Sequence, residues 1–248
     1  MQTIPVLMYH DIGPQPYGGF AALSVSVDRF SRQMAYLANN GWTSLNMDCF
    51  ERIISGEIKP APKSVLITFD DGYRSFLTNA MPVLKKFGLT ASIFIVTDRL
   101  GQIADWTGEP PDVNRLTLSV PEIEMLLKSG MDIGGHSARH MNLCILEGAQ
   151  LEDEIASCMM RLQNAFGLSG GAFAYPFGAH DARVRRVAAS YTSLAFTTDE
   201  GGVRSGDDRW ALRRTMVQPN NPMLDFKLQL RLGLSPIERL RRLKRFGL

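Results

Sequence analysis

Three short segments gather the carboxylates, imidazoles and aromatic rings best placed to act together. In Thr68-Phe69-Asp70-Asp71-Gly72-Tyr73, two adjacent carboxylates stand where an apolar run meets a glycine turn. Neighbouring side chains on an extended chain point to opposite sides, but a turn at Gly72 can bring both toward one pocket, one carboxylate to bind a metal and the other free as a base. A helix cap or an Asx turn is the purely structural use of the same residues. In Gly134-Gly135-His136-Ser137-Ala138-Arg139-His140, two of the four histidines fall within five residues. Imidazoles at i and i+4 converge on one cation if the segment turns helically after the glycines; otherwise they decorate a surface. One carboxylate with two histidines is the set that leaves coordination positions open for water and substrate, zinc first by ligand type. In Phe173-Ala174-Tyr175-Pro176-Phe177-Gly178, the proline stiffens a turn, the rings offer a platform for a sugar face, and backbone N–H groups can face a developing oxyanion. The alternative is a strand stopped by Pro and Gly, its aromatics in the core.

Such residues need elements that carry them to one place. Apolar runs predict strands at Ile4–Tyr9, Thr43–Leu45, Ser64–Phe69, Ala91–Val96, Met131–Ile133, Ala172–Ala174, Ala195–Thr197 and Leu212–Val217. Helical periodicity predicts helices over about 28–40, with Phe30, Met34, Leu37 and Ala38 as its apolar stripe, and near 49–54, 79–87, 150–166 and 182–189, with another opened by Ser119, Pro121 and Glu122. Residues 97–118, with Trp106, Pro110 and Pro111, show no period and read as a long loop. Alternation of strand and helix means parallel strands with helices outside. A count of about seven strands, and no G-x-G-x-x-G turn after the first, lean toward a closed barrel, whose active sites sit at the strand C-termini where all three segments fall. The expected fold is α/β, a single-domain distorted (β/α)7 barrel over residues 1–234, followed by a separate segment, 235–248.

With 248 residues, 45% apolar, 21% charged, and a mean hydropathy of −0.07, the chain is neither disordered nor fibrous and can bury a large core without staples. Cys49, Cys144 and Cys158 are odd in number and never paired as C-x-x-C, which fits a reducing compartment better than a disulfide framework. No apolar stretch nears the roughly 18 residues of a membrane span, and Ile4-Pro5-Val6-Leu7-Met8-Tyr9 follows the N-terminus with no basic region ahead of it, so no signal peptide is visible and a cytoplasmic location is expected. The net charge of +2 hides an asymmetry: residues 235–248 hold Arg239, Arg241, Arg242, Lys244 and Arg245 against Glu238. The rest of the chain is slightly acidic, which excludes nucleic-acid binding by charge. In that tail Ile237, Leu240, Leu243 and Phe246 recur every third residue, the pattern of a basic amphipathic helix. It either makes peripheral contact with the inner membrane surface or packs its stripe on the barrel.

The three ordered motifs resemble those of the polysaccharide deacetylase family, carbohydrate esterase family four, over most of residues 4–217. The resemblance implies a divalent metal (zinc, or cobalt, nickel or another divalent ion) held by Asp71, His136 and His140, and Asp70 as the general base. It implies an N-acetylated sugar or glycan as substrate, with Tyr73, Tyr175, Pro176 and Phe177 around substrate or oxyanion, the Phe177 N–H facing the latter. The common pattern places the general acid on a histidine near the C-terminal end of the barrel, whereas no histidine follows His180. His10, at the mouth of the first strand, takes the role by similarity to the branch acting on β-1,6-linked poly-N-acetylglucosamine, with His180 as competitor. The arginine that in many members precedes the third motif is replaced by Gly171. Asp208-Arg209-Trp210-Ala211-Leu212-Arg213 resembles a weak fourth motif, which implies Trp210 at the site's edge and Arg213 paired with Asp70. The expected function is metal-dependent N-deacetylation; the rivals are an amidohydrolase of non-sugar C–N bonds and a carbohydrate-binding protein that has lost catalysis.

Overall fold

The computed structural model describes residues 2–14, 22–106, 115–168, 171–237 and 240. Seven parallel strands form its main sheet: β1 (Val6–Tyr9), β5 (Ser64–Phe69), β6 (Ser92–Ile95), β7 (Asp132–Gly135), β8 (Ala172–Ala174), β9 (Leu194–Phe196) and β10 (Thr215–Met216), ordered β10-β1-β5-β6-β7-β8-β9. The remaining strands are short: β4 (Thr43–Ser44) extends β5 at its start, while β2 (Asp11–Ile12) and β3 (Ser24–Val25) form a small parallel pair that the sequence pattern did not announce. Residues 209–217 join the sheet's ends, because Leu212 bridges Phe196 while Thr215 and Met216 pair with Leu7 and Met8. The result is the distorted (β/α)7 barrel.

Helices α1 (Val27–Asn39), α2 (Met47–Ile54), α3 (Met81–Lys86), α4 (Val120–Lys128), α5 (Gly148–Phe166), α6 (Ala182–Tyr191) and α7 (Met223–Leu232) connect or follow the strands. Their starts follow from local chemistry. Ser26 Oγ, Asn46 Oδ1 and Asp181 Oδ1 accept the N–H groups of Arg29, Cys49 and Val184, and Ser119 with Glu122 forms a capping box on α4. A wide π-type turn at Phe76–Ala80 precedes α3, where a plain helix was expected from residue 79. Helix α7 was not anticipated. Of the expected loop 97–118, the described parts, 97–106 and 115–118, hold regular structure: Thr97–Arg99 form a 3-10 turn, and Leu116 and Thr117 bridge back to Ile103 and Tyr73. Of the predicted tail helix, only 235–237 and 240 lie among the described residues, so its docking reading falls outside them. No helix among the described residues is long and apolar enough to cross a membrane.

Alternation along each strand sorts the core. Leu7, Tyr9, Val65, Ile67, Phe69, Phe173 and Tyr175 face the helices, where Tyr9 and Phe69 stack at 5.2 Å and Phe30 meets both edge-on. Val6, Leu66, Phe94, Ala172, Ala174, Phe196 and Leu212 fill a second cluster inside the barrel. With a period of two, the next inward positions at the strand mouths are Met8 and His10, Thr68 and Asp70, and, beyond Leu212, Arg214.

Candidate metal centre and active-site cavity

A cavity of about 430 Å3 opens at those mouths, lined by His10, Asp70, Asp71, Trp106, His136, His140, Phe177, Thr198, Glu200, Arg214 and Gln218 together with Met8, Leu23 and Met216. The histidines and aspartates reach it from three strand ends. Asp70 continues the inward parity of β5. Asp71 belongs to the opposite parity, and a backbone φ of 70°, followed by Gly72 at 65°, swings it back to the same pocket. His136 continues the inward parity of β7 after Gly134, where a Cβ would come within 2.6 Å of the Phe94 ring and the Ala172 carbonyl. The next turn is not helical: Ser137 and His140 sit at φ 63° and 60°, and the His140 N–H donates to Ser137 Oγ at 2.9 Å. Left-handed backbone at non-glycine residues costs of order 1–3 kcal/mol each and persists where surrounding structure over-determines it. Three of the five such residues described (Asp71, His140 and Phe177) line this cavity, Ser137 is buried between its two histidines, and the fifth is Lys63.

One oxygen, Asp71 Oδ1, lies 3.3 Å from His136 Nε2 and 3.2 Å from His140 Nε2, all three side chains being buried. Each residue offers one ligand atom, and these lie within 4.8 Å of one another. His136 Nδ1 is 2.8 Å from the Ala174 carbonyl, an acceptor only, so Nδ1 carries a proton; Nε2 is the atom turned to Asp71, donating to it when protonated and free to offer its lone pair to a cation when not. A carboxylate and an imidazole lone pair facing one point fit a divalent cation. His140 Nδ1 has no hydrogen-bond partner among the described residues; its ring is fixed by Trp106, stacked at 5.0 Å, and Phe177, edge-on at 4.7 Å. Burial pushes the Asp71 carboxyl up, but its hydrogen bonds to His136 and His140 outweigh it and hold the group well below the usual range. The reciprocal hydrogen bond raises His136 against the lowering effect of its own burial.

Beside this cluster Arg214, with no exposed surface, forks onto Asp70: Nη1 to Oδ1 at 2.6 Å and Nη2 to Oδ2 at 2.7 Å. Its Nε donates to the Thr197 carbonyl at 2.9 Å, and its plane packs on Phe94 and Phe196. Burial alone would raise the Asp70 carboxyl; the guanidinium overcomes it and keeps the group below its ordinary value, hence ionised. His10 faces the same space, partly exposed to the cavity. Burial pushes its imidazole below the ordinary value, against the pull of Asp71 and Asp70.

Several expected positions differ. Arg213 points outward to Asp207 at 3.3 Å, not to Asp70; the inward parity belongs to its neighbour, Arg214. Tyr175 shares the outward parity of Phe173 and is fully buried, its hydroxyl donating to the Trp210 carbonyl, so it offers no platform to a sugar. Pro176 is buried under the turn, leaving Phe177 as the exposed ring of that motif. Tyr73 is buried behind the cavity wall, 6.4 Å from Trp106. Trp210 binds the Thr192 carbonyl through Nε1, away from the cavity, and the indole at the site is Trp106. His180 packs on Tyr175 and bonds the Gly178 carbonyl, outside the cavity lining. Arg214, Trp106 and Glu200 were not expected there; strand parity from Leu212 was the signal for the first.

A sequence profile of the polysaccharide deacetylase family matches residues 57–195, a span holding all three motifs but neither His10 nor Arg214. Over 217 residues the chain is 29% identical to the polysaccharide deacetylase homologue YxkH of Bacillus subtilis (strain 168), covering 87% of this chain and 72% of that one. Over 90 residues it is 33% identical to the poly-β-1,6-N-acetyl-D-glucosamine N-deacetylase of Escherichia coli (strain K12), 30% of this chain and 13% of that protein. The crystal structure of BC0361, a polysaccharide deacetylase from Bacillus cereus, superposes with a TM-score of 0.78 at 28% identity, covering 92% of this chain and 69% of that one.

Proposed function

This chain belongs to the polysaccharide deacetylase family, hydrolases of carbon–nitrogen bonds other than peptide bonds, and from that premise we propose that it removes the acetyl group from an N-acetylated amino sugar within a glycan. The observation that carries the reading is the convergence of Asp71, His136 and His140 beside a separate, ionised Asp70. Those three residues would hold a divalent cation, zinc first by donor type, which would supply Lewis acidity toward the amide carbonyl and lower the pKa of water toward about 7.

The protein's own groups supply the rest. Asp70, aimed and kept charged by Arg214, takes the proton from the attacking water. His10 stands at the neighbouring strand mouth and gives a proton to the leaving amine. Its lowered pKa makes the protonated ring a stronger acid and that form the scarcer one near pH 7. The Phe177 N–H, at the turn whose φ is 60°, serves the developing oxyanion, and the rings of Trp106 and Phe177 give the sugar an apolar wall. As substrate we infer poly-β-1,6-linked N-acetylglucosamine, on the similarity to the Escherichia coli enzyme and the histidine of the first strand. Acetate release from β-1,6- and β-1,4-linked N-acetylglucosamine oligomers, with and without chelator, tests the proposal. Chelator-sensitive release favouring the β-1,6 series is expected. Turnover of cyclic ureides in place of both would assign the chain to non-sugar substrates, and no hydrolysis with any would leave a binding protein.

A further inference from the structure

The two histidines of the cluster are held by different means. His136 has a carbonyl partner for Nδ1; His140 has none among the described residues and depends on its backbone and on flanking rings. That backbone lies in a loop with two left-handed residues, Ser137 and His140, so something must pay for its shape. Glu154 does so. It sits in the middle of α5 on the buried stripe of Leu151, Ile155 and Cys158, with no exposed surface. Its main-chain carbonyl accepts the Ala138 N–H at 3.0 Å, its Oε2 accepts the Arg139 N–H at 3.0 Å, and its Oε1 accepts Arg139 Nε at 2.5 Å. One residue thus grips two successive amides between the two histidines.

We propose that Glu154 is a positioning residue for His140, setting the affinity of the centre for its cation through the Arg139 main chain. The inference rests on the metal-centre reading above. A carboxylate is the side chain this task requires. It accepts at both oxygens, and the half-exposed Arg139 guanidinium neutralises the charge that burial would otherwise penalise. An amide in its place has one acceptor for two donors and turns an NH2 group toward one of them. Asp153, the guanidinium's other partner at 2.9 Å, touches no amide of the loop and serves as the control.

The test is zinc affinity of the metal-free full chain, by competition with a chromogenic chelator, for wild type, Glu154→Gln, Glu154→Ala and Asp153→Ala, with folding checked by circular dichroism. Outer partners of metal ligands are commonly worth 10–100-fold in affinity. A loss of roughly tenfold is expected for Glu154→Gln, a larger one for Glu154→Ala, and none for Asp153→Ala. The Gln variant keeps the side-chain volume and carries the test if the Ala variant fails to fold. The absorption spectrum of the cobalt-loaded Gln variant should shift as His140 moves. A folded Glu154→Gln protein with wild-type zinc affinity and an unaltered cobalt spectrum overturns the assignment. A wild-type chain that binds no zinc overturns the metal centre itself, an outcome visible before any substitution is made.

Discussion

The guanidinium of Arg214 lies against the carboxylate of Asp70 through two parallel hydrogen bonds of 2.6 and 2.7 Å, both side chains withdrawn from water. With the fork in place, Asp70 titrates below its ordinary value of 3.8. The stability it contributes is therefore fully present above that value and lost as pH falls through the depressed one. Arg214→Lys keeps a charge but loses the fork, so burial raises the Asp70 pKa. The acid limb of the kcat/KM profile for deacetylation is expected to move to higher pH; an unmoved limb would show that Asp70 is not the base.

Asp70 and Asp71 are neighbours in sequence with separable roles. Asp71→Asn or His136→Ala is expected to lose both bound metal and turnover, whereas Asp70→Asn should retain metal and lose turnover by several orders of magnitude. Metal analysis beside acetate release reads both, and normal turnover in Asp70→Asn defeats the assignment.

Only one of the two candidate acid histidines lines the cavity. His10→Ala is expected to bind metal normally and to slow turnover by about 10²–10⁴-fold, the usual worth of a positioned proton donor. His180→Ala should stay within a few-fold of wild type. The reverse order of effects would move the acid role to His180.

Trp106 covers one face of His140 and walls the cavity. Trp106→Ala is expected to raise KM for oligomers about five- to tenfold, in line with ring contacts worth about 0.5–1.5 kcal/mol, and Trp106→Phe to restore most of it. Steady-state kinetics on both variants decides; an unchanged KM in the Ala variant removes the sugar wall.

The parts legible in the sequence are those with local signatures. Asp70, Asp71, His136 and His140 were readable because apolar runs such as Ser64–Phe69 end abruptly in polar and glycine residues. Arg214 was missed in favour of Arg213 because β10 is only two residues long, and the parity that selects Arg214 starts from Leu212, whose partner is 16 residues away. Trp106 lies in an aperiodic stretch, carried to the site by bridges from Leu116 and Thr117 that no local pattern encodes. Helix α7 hid because Leu224, Phe226, Leu228, Leu230 and Leu232 recur at every second residue, the spacing of a strand, while tertiary packing makes the segment helical. Glu154, a charge on an apolar helical stripe, left a visible trace that parity and periodicity together could have used.

The segment that joins β9 to β1 also carries Arg214, which follows every other proposed catalytic residue along the chain. During synthesis the base, the acid and all three ligands emerge before the guanidinium that aims the base. An unfinished polypeptide therefore holds the chemical groups of the reaction without their alignment, and competence arrives together with closure of the cylinder.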